Sequence, residues 1–225
     1  MCGKFTQRRD IANVVRLSGA FALEPVRDET VTPMRTAQVI ALNGEGLRKS
    51  VAMRWGLVPA GRRDPAGMRD PADARDEARP HIHARAETID TKPTFRESFA
   101  RRRGIVLTTT FNEAEEIGSK TVQYVLAPRD AAPVAIAVVW DRLREHDGRW
   151  LLTFAMVTVA ANPLIATIAD RMPALIEAQH WPKWLGEEPA TVDELKAMLH
   201  PSTREFDMAR ATKPPPERAA QAELF

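Results

Sequence analysis

The chain has 225 residues, 44% of them apolar and 28% charged, with 32 Lys and Arg against 30 Asp and Glu. That length supports one substantial core, and the near balance of charge means that any surface for a polyanion must come from local clustering. No window approaches the ~20 continuous apolar residues of a membrane helix, the first residues lack an apolar signal core, and the single cysteine excludes an internal disulfide framework or a Cys-rich metal site. A cytoplasmic chain without membrane association is the expectation.

That one cysteine is Cys2, in Met1-Cys2-Gly3-Lys4-Phe5-Thr6-Gln7. Loss of Met1 would leave an α-amine of pKa about 8 beside a thiol of about 8.5, each partly reactive near neutral pH and tunable by a neighbouring charge. An N-terminal nucleophile can use its own amine as a base. A 1,2-aminothiol can also condense with an aldehyde to close a five-membered thiazolidine. The alternative for Cys2 is the usual fate of free cysteine, a small buried apolar side chain.

Asp10 to Leu17 reads as a short helix, with Asp10 as N-cap and Ile11, Val14 and Val15 as its apolar stripe. Val39–Leu42 and Val51–Trp55 read as strands about a turn at Asn43-Gly44-Glu45-Gly46. Residues 60–80 alternate Arg with Asp and carry almost no large apolar side chain, so they predict a mobile charged surface loop. Helix signals run from Pro93 to Phe99, followed by Arg101-Arg102-Arg103, read as a solvated helix end. Strands are predicted from Ile105 to about Thr109 and at Thr121–Ala127, Pro133–Trp140 and Trp150–Ala160, their β-branched content suggesting antiparallel neighbours. Asn162-Pro163 opens a short helix, and Thr191-Val192-Asp193-Glu194 is a capping box. The tail from Lys213 reads as frayed. The pattern, many short strands with helices interspersed, predicts an α+β fold in one domain.

Five segments taken together, Met1-Cys2-Gly3-Lys4-Phe5, Met53-Arg54-Trp55-Gly56-Leu57-Val58-Pro59, Ala84-Arg85-Ala86-Glu87-Thr88, Lys92-Pro93-Thr94-Phe95-Arg96 and Asp170-Arg171-Met172-Pro173, resemble the SRAP family. These are the SOS-response-associated peptidases, also called abasic site processing proteins. The likeness runs in the family's order from Met1 to about Leu185. It implies one compact α+β domain over 1–212 with a β-barrel-like mixed or antiparallel core and peripheral helices. It also implies self-removal of Met1, hence hydrolase or protease and lyase-type chemistry, binding of single-stranded DNA in the DNA-damage response, and capture of the ring-opened abasic-site aldehyde by Cys2 as a thiazolidine. No cofactor or metal is implied. The partner would be single-stranded DNA containing abasic sites, met by a monomer in the cytoplasm, at the nucleoid after damage.

Carried over residue by residue, the resemblance places the catalytic carboxylate at Glu113, as general acid and base during imine formation. A solvated surface charge is the other reading of Glu113. His83 stands where the family has Asn, either as a replacement imidazole or as a hydrogen-bonding substitute. Ala169 stands where the family has His, which removes the group credited with ring opening and release. Lys4, Arg85 and Arg171 fall at phosphate-contact positions, with Trp55 as a stacking or wall residue, or else a core aromatic. Ala114 and Gly61 replace family tryptophans, which thins base stacking. The competing readings are a degenerate paralogue that binds DNA without covalent turnover, an N-terminal-cysteine amidohydrolase of the glutamine amidotransferase kind, and a metal site on His81 and His83.

Overall fold

A computed structural model describes residues 2–7, 21–22, 29–59, 80–144 and 147–211. The helix expected at Asp10–Leu17, all but the last residue of the charged loop, and the tail from Lys213 lie outside the described residues. Thirteen strands are described. In chain order they are β1 (Lys4–Gln7), β2 (Phe21–Ala22), β3 (Glu29–Val31), β4 (Thr36–Leu42), β5 (Arg48–Trp55), β6 (His83–Arg85) and β7 (Arg103–Thr108). There follow β8 (Thr110–Ile117), β9 (Lys120–Pro128), β10 (Val134–Arg144), β11 (Trp150–Ala160), β12 (Arg171–Pro173) and β13 (Phe206–Arg210). Three short helices accompany them, α1 (Arg96–Arg101), α2 (Trp181–Leu185) and α3 (Val192–Ala197).

Strands β11, β10, β7, β4 and β5 are hydrogen-bonded in that order, and a parallel pairing of β5 with β11 closes them into a five-stranded barrel. Most of the pairings are antiparallel, as expected, but β11 takes β5 and then β6 as successive parallel partners along one edge. The core is therefore mixed. Val134 to Val139 is buried on both faces, which explains why that run is continuously apolar instead of alternating. α1 packs on β7 and β10, and α2 on β7. Gly104 is where β4 and β7 press together: a Cβ there would sit 2.8 Å from Val39 Cγ1 and 3.0 Å from the Ile40 carbonyl oxygen.

The second sheet has the order β13, β9, β8, β1, β3, all antiparallel. Gln7 ties it to the barrel. Its amide nitrogen donates to the carbonyls of Gln38 and Leu107, both at 3.0 Å, and its amide oxygen accepts from the Gln38 N–H at 3.1 Å. Phe5, two residues earlier on the same face, packs against Trp55 with ring centroids 5.3 Å apart. The beginning of the chain is thus fixed against the barrel by one polar and one apolar anchor.

Thr110-Phe111-Asn112-Glu113 continues directly into β8 rather than forming a loop. The expected Asn162 helix is a single 3₁₀ turn, Ile165–Thr167, with the Asn162 side-chain oxygen accepting from the Ile165 N–H. The Thr191 capping box is present in both directions. No helix among the described residues is long and apolar enough to cross a membrane.

Candidate active site

β1 runs antiparallel to β8, with Lys4 opposite Asn112 and Phe5 opposite Phe111. The residues before Lys4 therefore travel toward Glu113, whose carboxyl is pulled down by the positive amino terminus and by the Cys2 backbone N–H. From the other side, His83 Nε2 lies 2.8 Å from the Cys2 carbonyl oxygen. His83 is placed by β6, which pairs with β11 so that His83 sits opposite Met156. Its ring meets the edge of Trp55 at 6.2 Å. Three segments far apart in sequence thus converge on the backbone of residue 2.

Electrostatics follow from burial. Glu113 is fully buried, and desolvation pushes its carboxyl up to about 7 against the pull of the positive amino terminus and the Cys2 N–H; the negative charge of Asp170 adds to the rise. Burial also pushes the Cys2 thiol far up, with Glu113 adding to the effect, so the thiol is neutral at physiological pH. Its Sγ donates to the Lys4 carbonyl at 3.5 Å. Burial lowers the His83 imidazole, so it too is neutral at pH 7. A neutral imidazole with Nε2 protonated donates to the Cys2 carbonyl and leaves Nδ1 as an acceptor.

Both readings of Cys2 meet here: the side chain is 1% exposed, like a core residue, yet its backbone lies between two titratable groups, with its carbonyl held by His83. Glu113 is no solvated charge. Trp55 requires a correction, because it is 0% exposed and offers no face to a base. Its ring stacks on Phe154 at 6.2 Å and its indole N–H donates to the Ile82 carbonyl at 2.8 Å, so it is a core wall behind His83. Gly56, next in the chain, has φ +133 and closely faces Pro80, which only a residue without Cβ tolerates.

Arg85 and Arg171 lie on β6 and β12, which flank the end of β11, Arg85 opposite Thr158 and Arg171 opposite Ala160. Arg85 is exposed. Arg171 forms a bidentate pair with Glu87 at 2.6 and 2.8 Å and also donates to the Thr158 carbonyl at 2.7 Å, holding Glu87 below the usual carboxylate range. The pair joins the Ala-Arg-Ala-Glu-Thr and Asp-Arg-Met-Pro segments. Lys4 is half-buried on β1. Ala169 is half-buried against the core and brings no imidazole to the site.

His81 and His83 turn to different partners, His81 packing edge-on against Phe95 at 5.6 Å and His83 facing Cys2. Among the described residues no three His, Cys, Asp or Glu side chains converge as a metal site would require. Sequence reasoning missed Gln7 and Asp170. Gln7 followed the conspicuous Cys2 and looked like an ordinary polar strand residue, whereas Asp170 is the first residue of a recognised motif and carried a readable signal.

The family model described as SOS response associated peptidase (SRAP) matches residues 1–213. The chain is 29% identical over 206 residues to the abasic site processing protein YoaM of Bacillus subtilis, covering 89% of this chain and 86% of that one. It is 24% identical over 199 residues to the abasic site processing protein YedK of Escherichia coli, covering 84% and 81%. Among solved structures, a protein from Bacteroides thetaiotaomicron superposes with a TM-score of 0.77 at 24% identity, covering 94% of this chain and 92% of that one. One from Bordetella bronchiseptica gives 0.76 at 23%, covering 94% and 100%. With a family match running from the first residue through the last described strand, the chain belongs to the SOS response associated peptidase (SRAP) family.

Proposed function

We propose that this protein processes abasic sites in single-stranded DNA by cross-linking to them through Cys2 after Met1 is removed. The observation that carries the reading is the setting of residue 2 between two titratable groups: its N–H acts on the buried Glu113 carboxyl, and its carbonyl lies 2.8 Å from His83 Nε2. In the chain as encoded that nitrogen is an amide. Cleavage of the Met1–Cys2 bond adds water and turns it into an amine in the same place, with Glu113 near pKa 7 suited to protonate the departing nitrogen.

The covalent step then balances as follows. The amine adds to the aldehyde carbon of the opened sugar, and Glu113 relays one proton from the nitrogen to the aldehyde oxygen, which becomes a hydroxyl. Glu113 then relays the second nitrogen proton to that hydroxyl, which leaves as water, giving an imine. The Cys2 thiol adds to the imine carbon while its proton passes to nitrogen, closing the thiazolidine. The net reaction is aldehyde plus aminothiol giving thiazolidine plus water. His83 fixes the Cys2 backbone throughout, while Lys4, Arg85 and Arg171 supply positive charge for phosphates.

The 1% exposure of Cys2 and the Ala169 position favour a second reading, in which the protein binds DNA without covalent turnover. Intact mass of the purified protein before and after exposure to abasic single-stranded DNA separates the two. Loss of the methionine mass followed by a denaturation-resistant adduct supports cross-linking. Salt-dependent binding with no adduct supports the second reading.

A further inference from the structure

Four of the five tryptophans serve the interior, each donating its indole N–H to a backbone carbonyl: Trp55 to Ile82, Trp140 to Arg103, Trp181 to Ile176 and Trp184 to Gly104. Trp150 does not. It opens β11 at 55% exposure, and its indole N–H has no partner among the described residues. The Arg142 guanidinium lies 5.0 Å from its ring centroid, and Arg144 is its direct cross-strand neighbour. Arg142 and Arg144 are both exposed and form no ion pair among the described residues, whereas Arg149 is neutralised by Asp147 at 2.6 Å.

From this arrangement we propose that the β10–β11 hairpin is a second nucleic-acid contact, on which Trp150 stacks a base and Arg142 and Arg144 meet the adjoining phosphates. An exposed indole with a donor to offer and cations beside it matches the two recurring needs of a single strand, a π-face and backbone neutralisation. The inference rests on the DNA-binding reading above and adds a site to it. Register sets the reach. From Trp150 to Met156, opposite His83, is six residues along β11, about 20 Å at ~3.3 Å each. A strand held at Cys2 must therefore extend several nucleotides to touch Trp150, and a short one cannot.

The test is fluorescence anisotropy with undamaged single-stranded 5-mers and 15-mers, on wild type, Trp150→Ala, Trp150→Phe and the Arg142→Ala/Arg144→Ala double variant. Trp150→Ala is expected to weaken the 15-mer about tenfold or more and leave the 5-mer unchanged, and Trp150→Phe to recover most of the loss. The Arg double variant should lower the salt slope by about 1.4, ~0.7 for each phosphate contact on a single strand. Unaltered 15-mer affinity in all three variants overturns the proposal, as does an equal effect of Trp150→Ala on binding of polyglutamate, which would mark a surface for acidic proteins. Adduct formation on an abasic 5-mer keeps the readings apart. Wild-type cross-linking of that 5-mer together with 15-mer binding that does not depend on Trp150 sinks only the hairpin site, and Trp150-dependent 15-mer binding with no 5-mer adduct sinks only the covalent chemistry.

Discussion

His83 Nε2 sits 2.8 Å from the carbonyl oxygen of Cys2, so an imidazole from a parallel-paired strand of the barrel holds the backbone of the chain's second residue. If that bond positions the aminothiol, His83→Ala should slow adduct formation at all pH values, and His83→Asn, which keeps a donor, should restore most of it. Restoration by Asn with an unchanged pH profile marks a positioning role. A profile that loses its acid limb in His83→Asn would instead assign His83 to proton transfer. Single-turnover cross-linking between pH 5 and 8 distinguishes them.

Glu113 offers a stability measurement with a defined sign. Its folded pKa of about 7 lies above the ordinary 4.5, so the folded state binds more protons and the stability this group contributes, complete below about pH 4.5, is lost as pH rises through 7. The loss is on the order of 3 kcal/mol at ~1.4 kcal/mol per unit. Glu113→Gln removes it, so the variant should gain on wild type between pH 5 and 8 in thermal melts while losing roughly 10²- to 10⁴-fold in cross-linking rate. Neutral burial of His83 works in the opposite direction, its cost falling as pH rises past 6.5. Comparing Glu113→Gln with wild type isolates the carboxyl.

Cys2→Ala keeps the amine but removes the thiol. The imine should still form and be trapped by borohydride, with no stable adduct in its absence. Failure to trap any imine would place the amine outside reach of the aldehyde.

Arg171 is engaged by Glu87 in a bidentate pair. Glu87→Gln weakens that hold, and we expect tighter single-strand binding with a steeper salt dependence. Arg171→Ala should reduce the slope of log K against log salt by about one if the fork reaches a phosphate. Equal slopes in wild type and Arg171→Ala would make the arginine purely structural.

Gly56→Ala tests the turn that carries β5 past β11. With φ +133 and the new Cβ 2.9 Å from Pro80 Cβ, the substitution should destabilise the fold by about 1–3 kcal/mol in denaturant melts. A neutral result would show that the turn relaxes freely.

Much was legible from the residues alone. β-branched runs set off by turn residues gave the main strands, Trp150–Ala160 with its full bounds, because periodicity and turn chemistry act within a few residues. Cys2 stood out as the chain's one cysteine, whereas Glu113 was reached only through the resemblance of the ordered motifs to the SRAP family. What only the tertiary structure decided depends on pairings across long sequence separations. The closure of the barrel through a parallel β5–β11 contact, the anchoring of β1 by Gln7 to residues 31 and 100 positions away, and the conversion of Trp55 from a stacking candidate into a core wall all arise there. Local sequence specifies which face of a strand is apolar, but not which distant strand covers it. Burial, and with it the raised carboxyl at Glu113, is set by that partner.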